Sequence, residues 1–194
     1  MAKQRFFWLR GTKADSPSIT EHTSAETLAD RIAGGPLPKA VALRYAIELA
    51  EILREVHNRG RAYAIFRPSL VTIVDDVFEL AQHGPASISP YSSPEQILGR
   101  DLDTRTDIFA LGVVIYEMIR GRKPFDASTS TALRTAILDQ EPPPLENAPP
   151  ALKRLVQRCL EKKRERRIQH IEILLAQLKL QEILDTTASQ RIEG

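Results

Sequence analysis

Side chains able to do chemistry are few in this sequence, and their spacing limits what each can do. One cysteine, Cys159, stands alone, so no intrachain disulfide can form, and no Cys/His spacing resembles a zinc site. It falls beside Leu155 and Val156 on the apolar side of a helical pattern, the place of a core thiol. His57 and His170 have no Ser, Cys or acid arranged around them as a nucleophile system. Asp75 and Asp76 are neighbours, but they occupy a turn between two short apolar runs, where carboxylates are solvated. Ser87, Ser89, Ser92 and Ser93 lie in a proline-bearing loop and can accept a phosphoryl group as readily as they fill a turn. Residues 151–170 carry eight Lys/Arg against two Asp/Glu. With no aromatic platform beside them, these cations read as a solvated helix face before a nucleic-acid or acidic-partner surface.

The elements that must position these groups belong to an ordinary globular chain. At 194 residues, with 42% hydrophobic and 27% charged, it can bury one core of domain size. Lys plus Arg number 27 against 25 Asp plus Glu, and a net charge of +2 is too small to imply a polyanion partner. The longest uncharged apolar run, Ile108 to Tyr116, is nine residues. A membrane crossing needs roughly 20. Positive charge before Phe6-Phe7-Trp8-Leu9 hints at a leader, but Arg10 interrupts the run too early for a signal peptide. The expectation is a soluble, cytoplasmic protein.

Periodicity supplies mostly helices. A short one starts at Ser24 or Ala25 and stops at Gly34-Gly35. Lys39 to Asn58 places Val41, Tyr45, Leu49, Ile52 and Val56 at helical spacing, ending at Arg59-Gly60. Val71–Val74 and Val77–Ala81 read as two strands of a hairpin, and residues 82–95 as loop. Between Ile108 and Ile119 only Glu117 is charged, so the helix over about Thr106–Arg120 must be buried on every side. Further helices are expected over about Ser128–Gln140, Ala151–Lys162 and Gln169–Leu184, with residues 185–194 frayed.

Three blocks then carry a resemblance. Tyr91-Ser92-Ser93-Pro94-Glu95-Gln96 is followed by Asp107-Ile108-Phe109-Ala110-Leu111-Gly112-Val113-Val114-Ile115-Tyr116-Glu117-Met118 and by Gly121-Arg122-Lys123-Pro124-Phe125. In this order and spacing they resemble the eukaryotic-like protein kinases, most closely the bacterial serine/threonine type. The resemblance implies a mainly α fold, a kinase-like C-lobe helical bundle with a small β-hairpin, over residues 21–184. Ile19-Thr20-Glu21-His22 then resembles the last N-lobe strand and the hinge, and residues 1–20 replace the N-lobe. It also implies that Glu95 pairs with Arg167 to hold the activation segment. Asp107, in turn, accepts hydrogen bonds from the backbone of the catalytic loop.

Phosphoryl transfer needs positioned Mg²⁺, a phosphate cradle and a group to orient the hydroxyl nucleophile. Arg67-Pro68 fits the family's Lys-Pro step, and in that register Ile65 stands at the position of the base and Leu70 at that of the metal-binding Asn. Tyr63 and Ala64 replace the two residues before the base, and Gln82 the Asp of D-F-G. The degenerate positions are therefore Tyr63, Ala64, Ile65, Leu70 and Gln82, and no catalytic, cofactor-binding or metal residue is expected. The leading expectation is a catalytically inactive, pseudokinase-like binding scaffold or regulator without ATP, whose partner is another protein or a second copy. Phe6, Phe7, Trp8 and Leu9 are candidates for covering the apolar top of the lobe near Ile65, Phe66 and Leu70. Two alternatives stay open: a divergent serine/threonine kinase completed in trans, and a truncated, decaying gene product.

Overall fold

A computed structural model describes residues 26–81, 87–146 and 148–192. Phe6, Phe7, Trp8 and Leu9, the hinge-like Ile19–His22 and Gln82 lie outside the described residues. Strand β1 (Glu26–Thr27) leads directly into helix α1 (Leu28–Ala33), and helix α2 (Lys39–His57) follows. Strands β2 (Val71–Val74) and β3 (Val77–Leu80) come next, then the single turn of helix α3 (Pro94–Ile97). The remainder is helical: α4 (Thr104–Arg120), α5 (Ser130–Asp139), α6 (Pro150–Cys159) and α7 (Ile171–Ile192).

The sequence pattern starts the first helix at Ser24 or Ala25. Instead Glu26 and Thr27 pair with Ile73 and Thr72, so the hairpin becomes a three-stranded antiparallel sheet ordered β1-β2-β3. Helix α1 begins only after Thr27, whose hydroxyl accepts from the Asp30 N–H while the Asp30 carboxylate accepts from the Thr27 N–H. Asp75 and Asp76 take φ of 49° and 60°, the left-handed pair that a two-residue hairpin turn requires. In the loop-like stretch 82–95 the structure starts α3, because Ser93 and Gln96 cap each other reciprocally. Helix α7 runs on past Leu184 to Ile192, beyond the point where the pattern frays. The Lys39–Asp185 ion pair at 2.8 Å ties that extension to α2.

Helix α4 is the axis of the core. Every residue from Thr106 to Met118 is buried, with α2 on one side and α6 on another. Gly112 permits the second contact, since a Cβ there would lie 2.6 Å from the Cys159 Cβ. Gly121 ends the helix at φ 70°, where a Cβ would meet Pro36 at 2.7 Å. Helix α7 closes the bundle against α2. Among the described residues no helix is long and apolar enough to cross a membrane.

Candidate functional site

The first turn of α4 presents Asp107, fully buried, to the segment between α2 and β2. Its Oδ2 accepts from the Tyr63 N–H at 2.7 Å and its Oδ1 from the Ala64 N–H at 2.7 Å. His57, at the last turn of α2, places Nε2 2.8 Å from Oδ2. Ala64 sits at φ 68°, a conformation costing a non-glycine residue roughly 1–2 kcal/mol. Two charge-assisted bonds flanking it, together with a bond from the Gln96 Nε2 to its carbonyl, hold the backbone there. The Tyr63 hydroxyl donates to the Ala81 carbonyl, and burial with the nearby Asp107 charge pushes its pKa up to about 12.

A second cluster fixes the opposite wall. Arg167 is almost completely buried and grips Glu95 with both ends of its fork, Nη1 to Oε1 and Nη2 to Oε2, each at 2.6 Å. Nε donates to the Glu161 carbonyl at 2.7 Å, Nη1 also to Arg105 at 3.0 Å and Nη2 also to Lys162 at 3.2 Å. All five N–H donors of the guanidinium are thereby used. The Thr106 hydroxyl donates to Glu95 Oε1 at 2.8 Å. Burial would push the Glu95 carboxyl up, but the Arg167 hydrogen bonds and charge hold it below the ordinary carboxylate value. Nearby, the Tyr91 hydroxyl donates to Glu117 Oε2 at 2.6 Å. Burial raises both of their pKa values.

Between these walls lies a cleft of about 340 Å³. One side is Ala64, Ile65 and Arg67; the other runs from Ser87 through Tyr91 to Arg100 and Leu102. Of the degenerate positions, Ile65 faces this cleft, whereas Leu70 ends the 3-10 turn Pro68–Leu70 away from its lining. Phe66, expected near an apolar top, is instead 2% exposed, packed edge-on to Tyr63 at 6.3 Å. Among the described residues the cleft lining has no carboxylate, and no group of three His, Cys, Asp or Glu gathers. These residues do not fit a magnesium–nucleotide complex, which needs several oxygen donors.

Sequence spacing missed His57 at Asp107 and Tyr91 at Glu117, because 50 and 26 residues separate the partners. Neither pair leaves a local pattern.

The protein kinase domain family matches residues 82–178, half of the chain. The chain belongs to the protein kinase family. It is 31% identical over 181 residues to a probable serine/threonine-protein kinase of Clostridium acetobutylicum, covering 82% of this chain and 28% of that protein. It is also 31% identical over 179 residues to serine/threonine-protein kinase pkn2 of Myxococcus xanthus, covering 78% of this chain and 22% of the relative. Serine/threonine-protein kinase A of Synechocystis is 28% identical over 212 residues, across 89% of this chain and 41% of that kinase. The chain thus spans well under half the length of each of these relatives. The expectation of a non-enzyme, a pseudokinase, is corrected by these comparisons. The matching family is the kinase domain itself, and the relatives are named serine/threonine-protein kinases, so the chain stands in a family of enzymes.

Proposed function

We propose that residues 26–192 form the acceptor-holding helical lobe of a cytoplasmic serine/threonine protein kinase, a phosphotransferase whose nucleotide-holding groups come from polypeptide beyond the described residues. One observation carries this reading. Asp107 accepts from the Tyr63 and Ala64 N–H groups and so anchors the start of the Tyr63–Arg67 segment beside an open cleft with an apolar and hydroxyl-lined wall. A cleft so held can fix the backbone of an acceptor segment and aim its hydroxyl.

Ile65 in place of a carboxylate does not by itself forbid transfer. A loose phosphoryl-transfer transition state requires little deprotonation of the nucleophile, and positioning with charge stabilisation supplies most of the rate. What the cleft cannot supply is a set of metal-binding oxygens, and this is why a second polypeptide segment enters the proposal.

The test combines the purified chain, labelled ATP, Mg²⁺ and a serine-containing peptide with a fragment of the Clostridium relative that runs from its N-lobe through its metal-binding D-F-G segment. Transfer to the peptide that needs both polypeptides supports the reading. Transfer that persists without this chain, or that never occurs, opposes it.

A further inference from the structure

The cleft contains an unmatched charge. Among the described residues its charged lining consists of two arginines, Arg67 and Arg100. The Arg67 Nε is shut off from solvent and has no hydrogen-bond partner among the described residues. Arg54 Nε is likewise unpartnered, whereas Arg167 uses all five of its donors. Native structures rarely keep a buried donor without a partner. The acid nearest to Tyr91 in the hydrogen-bond network, Glu117, receives the Tyr91 hydroxyl, and burial pushes its carboxyl toward the neutral form.

The rest of the lining mixes hydroxyl and amide side chains, Ser87, Ser89, Tyr91, Ser92 and Gln96, with apolar ones. Ile65 lies on one side, and Ile88 and Leu102, 40% and 43% exposed, lie on the other. An occupant therefore needs a compact group of high negative charge attached to an extended, partly apolar segment. A phosphorylated serine or threonine carries roughly −1.5 to −2 charge and three acceptor oxygens, which suits two guanidinium forks better than one carboxylate does.

We propose that this cleft binds a protein segment already phosphorylated on serine or threonine, its phosphate held between Arg67 and Arg100 and its apolar neighbour seated against Ile65, Ile88 and Leu102. The proposal rests on the reading of the cleft as an acceptor site and narrows it to acceptors that another phosphorylation has primed.

The experiment measures fluorescence anisotropy of the full chain with labelled Ala-Leu-phosphoserine-Ile-Ala, its unphosphorylated twin and its aspartate twin, without nucleotide. The phosphopeptide should bind at least about tenfold tighter than the unphosphorylated twin, the gain expected from one or two charge-assisted bonds. Arg67→Gln and the surface change Arg100→Gln should each remove about tenfold of that affinity. Circular dichroism checks that both variants are folded; should Arg67→Gln unfold, Arg100→Gln and Arg67→Lys decide. Equal binding of the phosphorylated and unphosphorylated peptides, or phosphopeptide binding indifferent to both arginines, would overturn the proposal. So would inorganic phosphate binding as tightly as the phosphopeptide, which would assign the site to the free anion. Because this assay needs no ATP and no second lobe, it fails or succeeds separately from the transfer assay above.

Discussion

Arg167 shows at the scale of one residue how a buried charge depends on its partners. With Glu95 gone, a fully desolvated guanidinium would keep only backbone carbonyls, and breaking such a pair typically costs about 3–5 kcal/mol. Arg167→Ala should therefore lower the melting temperature sharply, whereas Arg166→Ala, on a side chain turned to solvent, should change it little. Equal effects of the two variants would contradict the assignment. The pair also sets the acid limit of stability. Because Glu95 titrates below its unfolded value when folded, its contribution is complete above that unfolded value and is lost as pH falls through the folded one. Glu95→Gln should accordingly be less stable than the wild type at neutral pH, with the difference shrinking below about pH 4; a constant difference down to pH 2 would be the opposing result. Lys162 has the reverse situation. Burial over the Phe125 ring, 3.8 Å from the ammonium nitrogen, lowers its pKa to about 8. A ¹³Cε shift titration should place its midpoint near that value, and a midpoint at the ordinary lysine value would show that the amine is solvated.

Between elements, the contacts that decide the architecture are those where α4 meets its neighbours. Gly112→Ala would push a methyl group into Cys159 and Leu160 on α6, so the two helices must part, at a cost of about 1–3 kcal/mol. A melting temperature within a degree of the wild type would show that the helices are not so close. Asp107→Asn replaces one acceptor oxygen with an NH₂ group facing a backbone N–H. The Ala64 backbone then loses part of what holds it at positive φ, and hydrogen exchange at the Tyr63 and Ala64 amides should accelerate severalfold. Unchanged exchange would mean that other contacts hold the segment. These helices were legible because their signals are local. An uninterrupted apolar run from Ile108 demands burial on all sides, and Gly121 with Pro124 marks its end. Strand β1 was not legible, since two residues carry no period and only pairing with β2 makes them a strand. The extension of α7 beyond Leu184 likewise leaves no local signal, and its contact with α2 joins Asp185 to Lys39, 146 positions away in sequence.

Across the whole molecule, the family was readable from three ordered blocks, and the kinase-domain match covers the same stretch. The site was readable only in part. Asp107 and the Ile65 position follow from motif register, but a cleft is a product of folding. The convergence of Ala64–Arg67 with Ser87–Leu102, and the shielding of the Arg67 Nε within it, have no signature in either segment alone. The same holds for the error over activity. Residue-by-residue loss of metal ligands argued for a non-enzyme, while the comparisons set the chain among named kinases of which it spans only a part. The measurement that bears most directly on this account is the initial rate of phosphate transfer to a serine peptide as the separate fragment carrying the N-lobe and the metal-binding segment is titrated into a fixed amount of this chain. The account predicts no transfer from either polypeptide alone and a rate that rises and saturates with the added fragment. A rate that ignores whether this chain is present, or that stays at zero throughout the titration, would contradict it.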